Sequence, residues 1–216
     1  MRKPMSTPAA IARDVHKRYG GRTVIAGLTL EVPRGVAIAV AGSNGSGKST
    51  LLRLLAGLVR PSSGEVRVDG FIAGSGSLLG RVTLLPEGDP FPLTVRIDQF
   101  LMYMARLQGV SASSRAVEER LEEFGDRSWL TARFGDLSFG MRRRVGLAQA
   151  FLGEPSLVLL DEPSEGLDGD AAERLRTRIA ERRGNQTLVI ASHDEAIKAS
   201  CDSVITTAKG ERIASL

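Results

Sequence analysis

The chain has 216 residues, 42% of them hydrophobic and 25% charged, with a formal net charge of +4. These values fit a folded domain with a sizeable core and exclude a disordered or low-complexity chain. The single cysteine, Cys201, excludes an internal disulfide and a cysteine zinc cluster and points to a reducing compartment such as the cytoplasm. The apolar runs fall far short of the ~20 residues that cross a bilayer, and residues 1–8 lack the apolar stretch of a leader. The small positive excess suits a polyanionic ligand or an anionic membrane face, and reads more simply as arginine-rich helix faces in water.

In chain order, residues 11–15 and 24–32 read as strands, the second alternating through Val24, Leu28, Leu30 and Val32. After the turn Pro33-Arg34-Gly35, residues 36–41 form a continuous apolar run, the pattern of a strand buried on both faces. A Gly/Ser-rich loop over 42–49 leads into a helix over 50–58, ended by Gly57 and Pro61. Short strands follow at 65–69 and 82–85.

The next stretch, from about 88 to 154, is helical. Thr94 caps a helix carrying Ile97, Phe100, Leu101, Met104 and Leu107 at helical spacing; a second helix covers 116–124; Ser138 opens a third, with Met141, Val145, Ala148 and Leu152 on one stripe. Beyond it come a buried strand at 157–160, a helix at 171–183, a strand at 187–191, a short helix at 195–201, and closing strands at 203–207 and 211–216. Strands alternating with helices imply an α/β fold around a parallel sheet.

The loop Gly42-Ser43-Asn44-Gly45-Ser46-Gly47-Lys48-Ser49 matches G-x-x-x-x-G-K-[ST] between a buried strand and a helix, the context that makes the motif specific for phosphate. Its glycines let backbone N–H groups wrap a phosphate, and the helix start adds a positive dipole end. Lys48 would reach the β- and γ-phosphates of ATP, and the Ser49 hydroxyl would hold Mg²⁺. Only five of the 29 basic residues are lysines, so a lysine at this position is informative.

The strand at 157–160 ends in Asp161-Glu162. In the company of a phosphate loop, Asp161 is a candidate for holding Mg²⁺ through water and Glu162 for polarising the attacking water. His193 follows the strand at 187–191, on the ligand side of an open parallel sheet, where it could meet the γ-phosphate.

Leu137-Ser138-Phe139-Gly140-Met141, lying between the phosphate loop and the acidic strand, is similar to the L-S-G-G-Q signature of ABC ATPases. The remaining order fits too: Ser164-Glu165-Gly166-Leu167-Asp168 as the D-loop, then His193 as the switch histidine. The resemblance covers nearly the whole chain. It implies one ABC ATPase domain over 1–216: a P-loop NTPase, RecA-like core (about 1–87 and 155–216), with an N-terminal antiparallel β subdomain and an inserted helical signature subdomain (about 88–154). It further implies that Tyr19 stacks on adenine and that Gly42 to Thr50 hold the phosphates. Two copies would pack head to tail, as a homodimer, so that Ser138 and Gly140 bind the γ-phosphate of ATP held by the partner, with Asp168 beside them. The implied role is an ATP-hydrolysing subunit, peripheral on the inner membrane face, powering a separate transmembrane permease, with no nucleic-acid partner expected.

Two departures from the family pattern stand out. The signature carries Phe139 and Met141 in place of glycine and glutamine, and the Q-loop position holds Glu87, a carboxylate that can still ligate Mg²⁺. Both forms resemble exporter-type relatives and favour export. The run Arg142-Arg143-Arg144 reads as a solvated helix face. Pro90, Phe91, Pro92 and Leu93 read as an exposed apolar face where the family docks a permease helix. Competing readings are a soluble ABC-type ATPase acting on ribosomes or DNA, which would carry a second nucleotide domain or a long coiled coil, and a P-loop nucleotide kinase, which would need an acceptor site.

Overall fold

The computed structural model describes residues 7–109, 114–153, 155–182 and 186–207. Strands β1 (Ala10–Tyr19), β2 (Arg22–Val32), β4 (Ser63–Val68) and β5 (Phe71–Ile72) form an antiparallel sheet of order β2-β1-β4-β5. Strands β3 (Ala37–Ala41), β6 (Val82–Leu85), β7 (Leu157–Asp161), β8 (Thr187–Ala191) and β9 (Ser203–Thr206) form a parallel sheet of order β6-β7-β8-β3-β9. The helices are α1 (Lys48–Leu55), α2 (Ile97–Leu107), α3 (Ser114–Phe124), α4 (Phe139–Phe151), α5 (Gly169–Arg182) and α6 (Glu195–Ala199).

The apolar runs are continuous because both faces of the parallel sheet are covered. Leu157, Leu159, Val189, Ile38 and Val40 face one way, onto Leu51, Leu52, Leu54 and Leu55 of α1, which lies between the two sheets. Val158, Leu160, Leu188 and Ile190 face the other way, onto α4, α5 and the helices beyond them. Burying a leucine or isoleucine side chain contributes about 1.5–3 kcal/mol, so this double layer fixes the strand register at the site.

Three expectations are corrected. Strand β1 is twice as long as the alternation suggested, because register shifts between Ala12 and Arg18 break its period; Asp14 in the break has φ 46°. Thr94 does not cap α2. Residues 94–96 instead pair with the segment at 133–134, through an Arg96–Arg133 bridge and a Phe134 N–H donated to the Val95 carbonyl, so the helix starts only at Ile97. Helix α1 starts two residues earlier than expected, at Lys48, with Gly47 as its left-handed cap at φ 103°. The expected strand at 211–216 lies outside the described residues.

The helical block is not a detached body. From Val145 to Phe151 every residue of α4 is buried, and the Thr83 hydroxyl of β6 donates to the Ala150 carbonyl at 2.8 Å. Phe91, Phe100 and Phe134 interlock, with Phe91 stacked on Phe134 at 4.8 Å between centroids. Phe91 is therefore engaged in packing rather than presented to a partner, while Leu93 stays exposed.

Candidate active site

Strands β3, β7 and β8 end side by side, and their C-terminal ends deliver the chemistry. Strand β3 runs out into the phosphate loop, β7 ends in Asp161 with Glu162 after it, and β8 is followed by Ser192 and His193. A cavity of about 1020 Å³ opens there, lined among others by Tyr19, Asn44, Lys48, Ser49, Glu87 and Glu162. Gly45, Gly47, Thr50, Asp161 and His193 also line it. Gly42, Ser43 and Ser46 shape the loop from behind: the Ser43 carbonyl accepts from Ser46 N–H at 3.1 Å, and the Ser46 hydroxyl meets that of Thr207 at 2.7 Å.

The cluster at the cavity floor is tight. Lys48 Nζ donates to the Gly42 carbonyl at 2.9 Å, lies 3.0 Å from His193 Nε2 and 4.0 Å from Glu162 Oε1. His193 Nε2 also lies 3.0 Å from Asn44 Oδ1, and the His193 backbone N–H donates to Glu162 Oε2 at 3.1 Å. Glu162 itself sits at φ 46°, a left-handed conformation costly for a residue with a Cβ. Its N–H is pinned to the Ala191 carbonyl at 2.8 Å, which aims the carboxylate at the loop rather than along the strand.

Asp161 is 2% exposed, and its Oδ1 has no hydrogen-bond partner. Burial pushes its carboxyl up, the Ser49 hydroxyl hydrogen bond works against that shift, and the negative charges of Glu87 and Glu162 add to it. A buried carboxylate oxygen without a partner, beside a serine hydroxyl, is the donor set a hard divalent cation takes, with phosphate and water oxygens completing the shell. Such a cation would also relieve the mutual repulsion of the acids.

Three of the expected site residues lie away from this cavity in the single chain. Ser138 caps α4, its hydroxyl accepting the Met141 N–H at 3.3 Å. Gly140 packs against the Gly166 carbonyl. Asp168 accepts the Ala171 N–H at 2.9 Å and pairs with Arg144. Both the Ala171 hydrogen bond and Arg144 hold the Asp168 carboxyl below the usual range. These three form one surface at the start of α4, separate from the phosphate loop.

A family model described as ABC transporter matches residues 25–165. The chain belongs to this family. A Nod factor export ATP-binding protein I of Burkholderia orbicola is 34% identical, over 97% of this chain and 71% of that protein. The ABC transporter ATP-binding protein NatA of Bacillus subtilis is 33% identical, over 86% of this chain and 78% of that one. A solved ATP-binding subunit of an ABC transporter superposes with a TM-score of 0.87 at 27% identity, covering 95% of this chain and 88% of that one. A dimeric ATP-binding cassette in a post-hydrolysis state, bound to ADP and phosphate, superposes equally well at 19% identity and attests the shared fold.

This ABC ATPase therefore binds and hydrolyses ATP as the ATP-binding subunit of a transporter. Its architecture also holds features that the motifs did not announce. Arg143, read as solvated, is 1% exposed. Helix α4 is buried on every side from Val145 to Phe151, just past the arginine run, so the stripe of Met141, Val145, Ala148 and Leu152 does not mark its only buried face. Arg142 is half-buried as well, pairing with Asp89 at 2.6 Å and donating to the Leu137 carbonyl at 2.7 Å. Thr207 braces the phosphate loop through Ser46, and nothing short of the folded sheet connects residues so far apart in sequence. Lys17 covers one face of the Tyr19 ring at 4.6 Å, and the ring itself is exposed at the cavity edge.

Proposed function

We propose that this subunit powers an exporter, working as a head-to-tail homodimer that closes on two molecules of Mg²⁺-ATP and opens after hydrolysis. The observation that carries the reading is the separation of two half-sites: a phosphate cradle at the ends of β3, β7 and β8, and an N-terminal helix surface at Ser138 and Gly140. Neither half alone surrounds a γ-phosphate. Two copies related by a twofold axis bring each cradle to the other's helix start, where backbone N–H groups and the dipole favour an anion.

Within the cradle, Lys48 and the loop N–H groups bind the phosphates, and Tyr19 stacks on adenine. Ser49, Asp161 and Glu87 would hold Mg²⁺, which neutralises charge building on the phosphoryl oxygens. Glu162 takes the proton of the attacking water, and His193 fixes that water against the γ-phosphate. Asp168, tied to Arg144, keeps the signature surface in register with the cradle of the partner.

Among the described residues no helix is long and apolar enough to cross a membrane. Relatives named as ATP-binding proteins of transporters support a permease on a separate chain, with this subunit on its inner face. An apolar hollow of about 240 Å³ beside β6 supports a docked helix: Leu58 and Leu79 are each 68% exposed there, with Leu84, Met104 and Leu107 beneath. Names of relatives such as the Nod factor export proteins support export over import.

The deciding experiment is co-expression with any membrane protein encoded in a neighbouring reading frame. The pair should co-purify, and ATPase activity should change on assembly in vesicles. A protein that instead co-purifies with ribosomes or DNA and finds no membrane partner would replace this reading.

A further inference from the structure

Arg143 stands in the middle of the catalytic machinery without touching the cavity. Its Nη1 donates to the Pro86 carbonyl at 2.6 Å and reaches the Gly88 carbonyl at 3.4 Å; these two peptides flank Glu87. Its Nη2 donates to the Glu162 carbonyl at 2.7 Å and to that of Asp161. One planar fork thus spans four carbonyl oxygens on two segments that both line the nucleotide cavity.

We propose that Arg143 is a positioning residue for hydrolysis, holding the Glu162 peptide in its left-handed turn and fixing the Glu87 segment against it. The geometry requires a guanidinium. Its paired terminal nitrogens diverge toward different carbonyls in one plane, whereas an ammonium is a point donor. The Glu162 peptide is clamped on both sides, N–H to Ala191 and carbonyl to Arg143, so its strained φ is imposed from outside. A buried guanidinium is costly, and here the carboxylates of Glu165, Asp161, Glu87 and Glu162 surround it with compensating charge. Burial still draws its pKa down. The Nε atom has no partner, so the backbone contacts, and not a full set of hydrogen bonds, fix its pose.

This inference rests on Glu162 acting as the base, and the test separates the two. Arg143→Lys, Arg143→Gln and Arg143→Met are compared with Glu162→Gln for ATP affinity, KM, kcat and melting temperature. Misaiming the base without disturbing the cradle should lower kcat about 10-fold or more in Arg143→Met, with KM and ATP affinity within about 2-fold. Arg143→Lys should recover part of the rate. Equal kcat in the folded variants overturns the proposal, as does a parallel loss of affinity and rate, which marks a purely structural residue. If Arg143→Met does not fold, the lysine and glutamine variants decide by the same split. If Glu162→Gln is inert while the Arg143 variants match the parent, this inference alone falls. If Glu162→Gln hydrolyses normally, the base assignment falls and takes this inference with it.

Discussion

The Lys48 ammonium lies 3.0 Å from Nε2 of His193, a ring nitrogen that also meets Asn44 Oδ1 at 3.0 Å. The carbonyls of Gly42 and Ser43 also hold the lysine, at 2.9 and 3.5 Å, and so keep its charge over the loop where phosphate oxygens would sit. Lys48→Ala should reduce turnover about 10²–10³-fold, the usual cost of deleting a donor aimed at developing charge. A phosphate-release assay checks it, and unaltered turnover would remove the lysine from the mechanism.

His193 differs from Lys48 in its expected signature. The imidazole is half-exposed and lies 3.4 Å from Glu162 Oε1, on the water side of the cluster. His193→Ala should therefore spare ATP affinity to within a few-fold and lower kcat about 10²-fold. A parallel loss of affinity would make His193 a binding group instead.

Glu162→Gln keeps the shape and removes the proton acceptor. Turnover should fall about 10²–10⁴-fold. The ATP-loaded protein should then elute as a dimer in size-exclusion chromatography while the nucleotide-free protein does not. A strictly monomeric ATP-bound variant would refute the two-half-site arrangement.

Asp161 predicts a trade between stability and function. Its folded-state pKa is raised, so the ionised form destabilises the nucleotide-free protein. That penalty is complete above the folded pKa and is relieved as pH falls toward the unfolded value. Asp161→Asn should thus raise the melting temperature at neutral pH and abolish Mg²⁺-dependent turnover. The stability gap should narrow in acid. Differential scanning calorimetry across pH tests the sign directly.

How far the sequence anticipated this arrangement depends on the kind of signal. The phosphate loop was legible because a doubly buried strand, a glycine pattern and a lysine must coincide in a few residues. Strand β7 and its two acids were legible for the same reason. Strand β1 was half-read, since a bulge erases the two-residue period, and β5, of only two residues, offers no period at all. Arg143 was misread because charge in a helix signals solvent unless something shows that the helix has no outer face there. Thr207 left no trace, being a single polar residue whose partner is 161 positions away.

Phe139, the unusual signature residue, has a packing role that predicts a compensation. A Cβ placed on Gly166 would come within 2.5 Å of the Phe139 ring, and Gly166 has φ +72°. Gly166→Ala should cost about 2 kcal/mol, part backbone strain and part collision. Adding Phe139→Ala should recover the collision part and leave the backbone part. Thermal melts of the two single variants and the double variant measure both; strictly additive effects would show that ring and glycine do not interact.

The hydroxyl pair of Ser46 and Thr207 has a consequence for how the protein is made. The phosphate cradle is emitted early in synthesis, yet its rear support arrives among the last described residues and only when β9 docks beside β3. A growing chain thus carries an unbraced cradle until Thr207, 161 positions downstream of Ser46, has emerged and β9 has paired with β3.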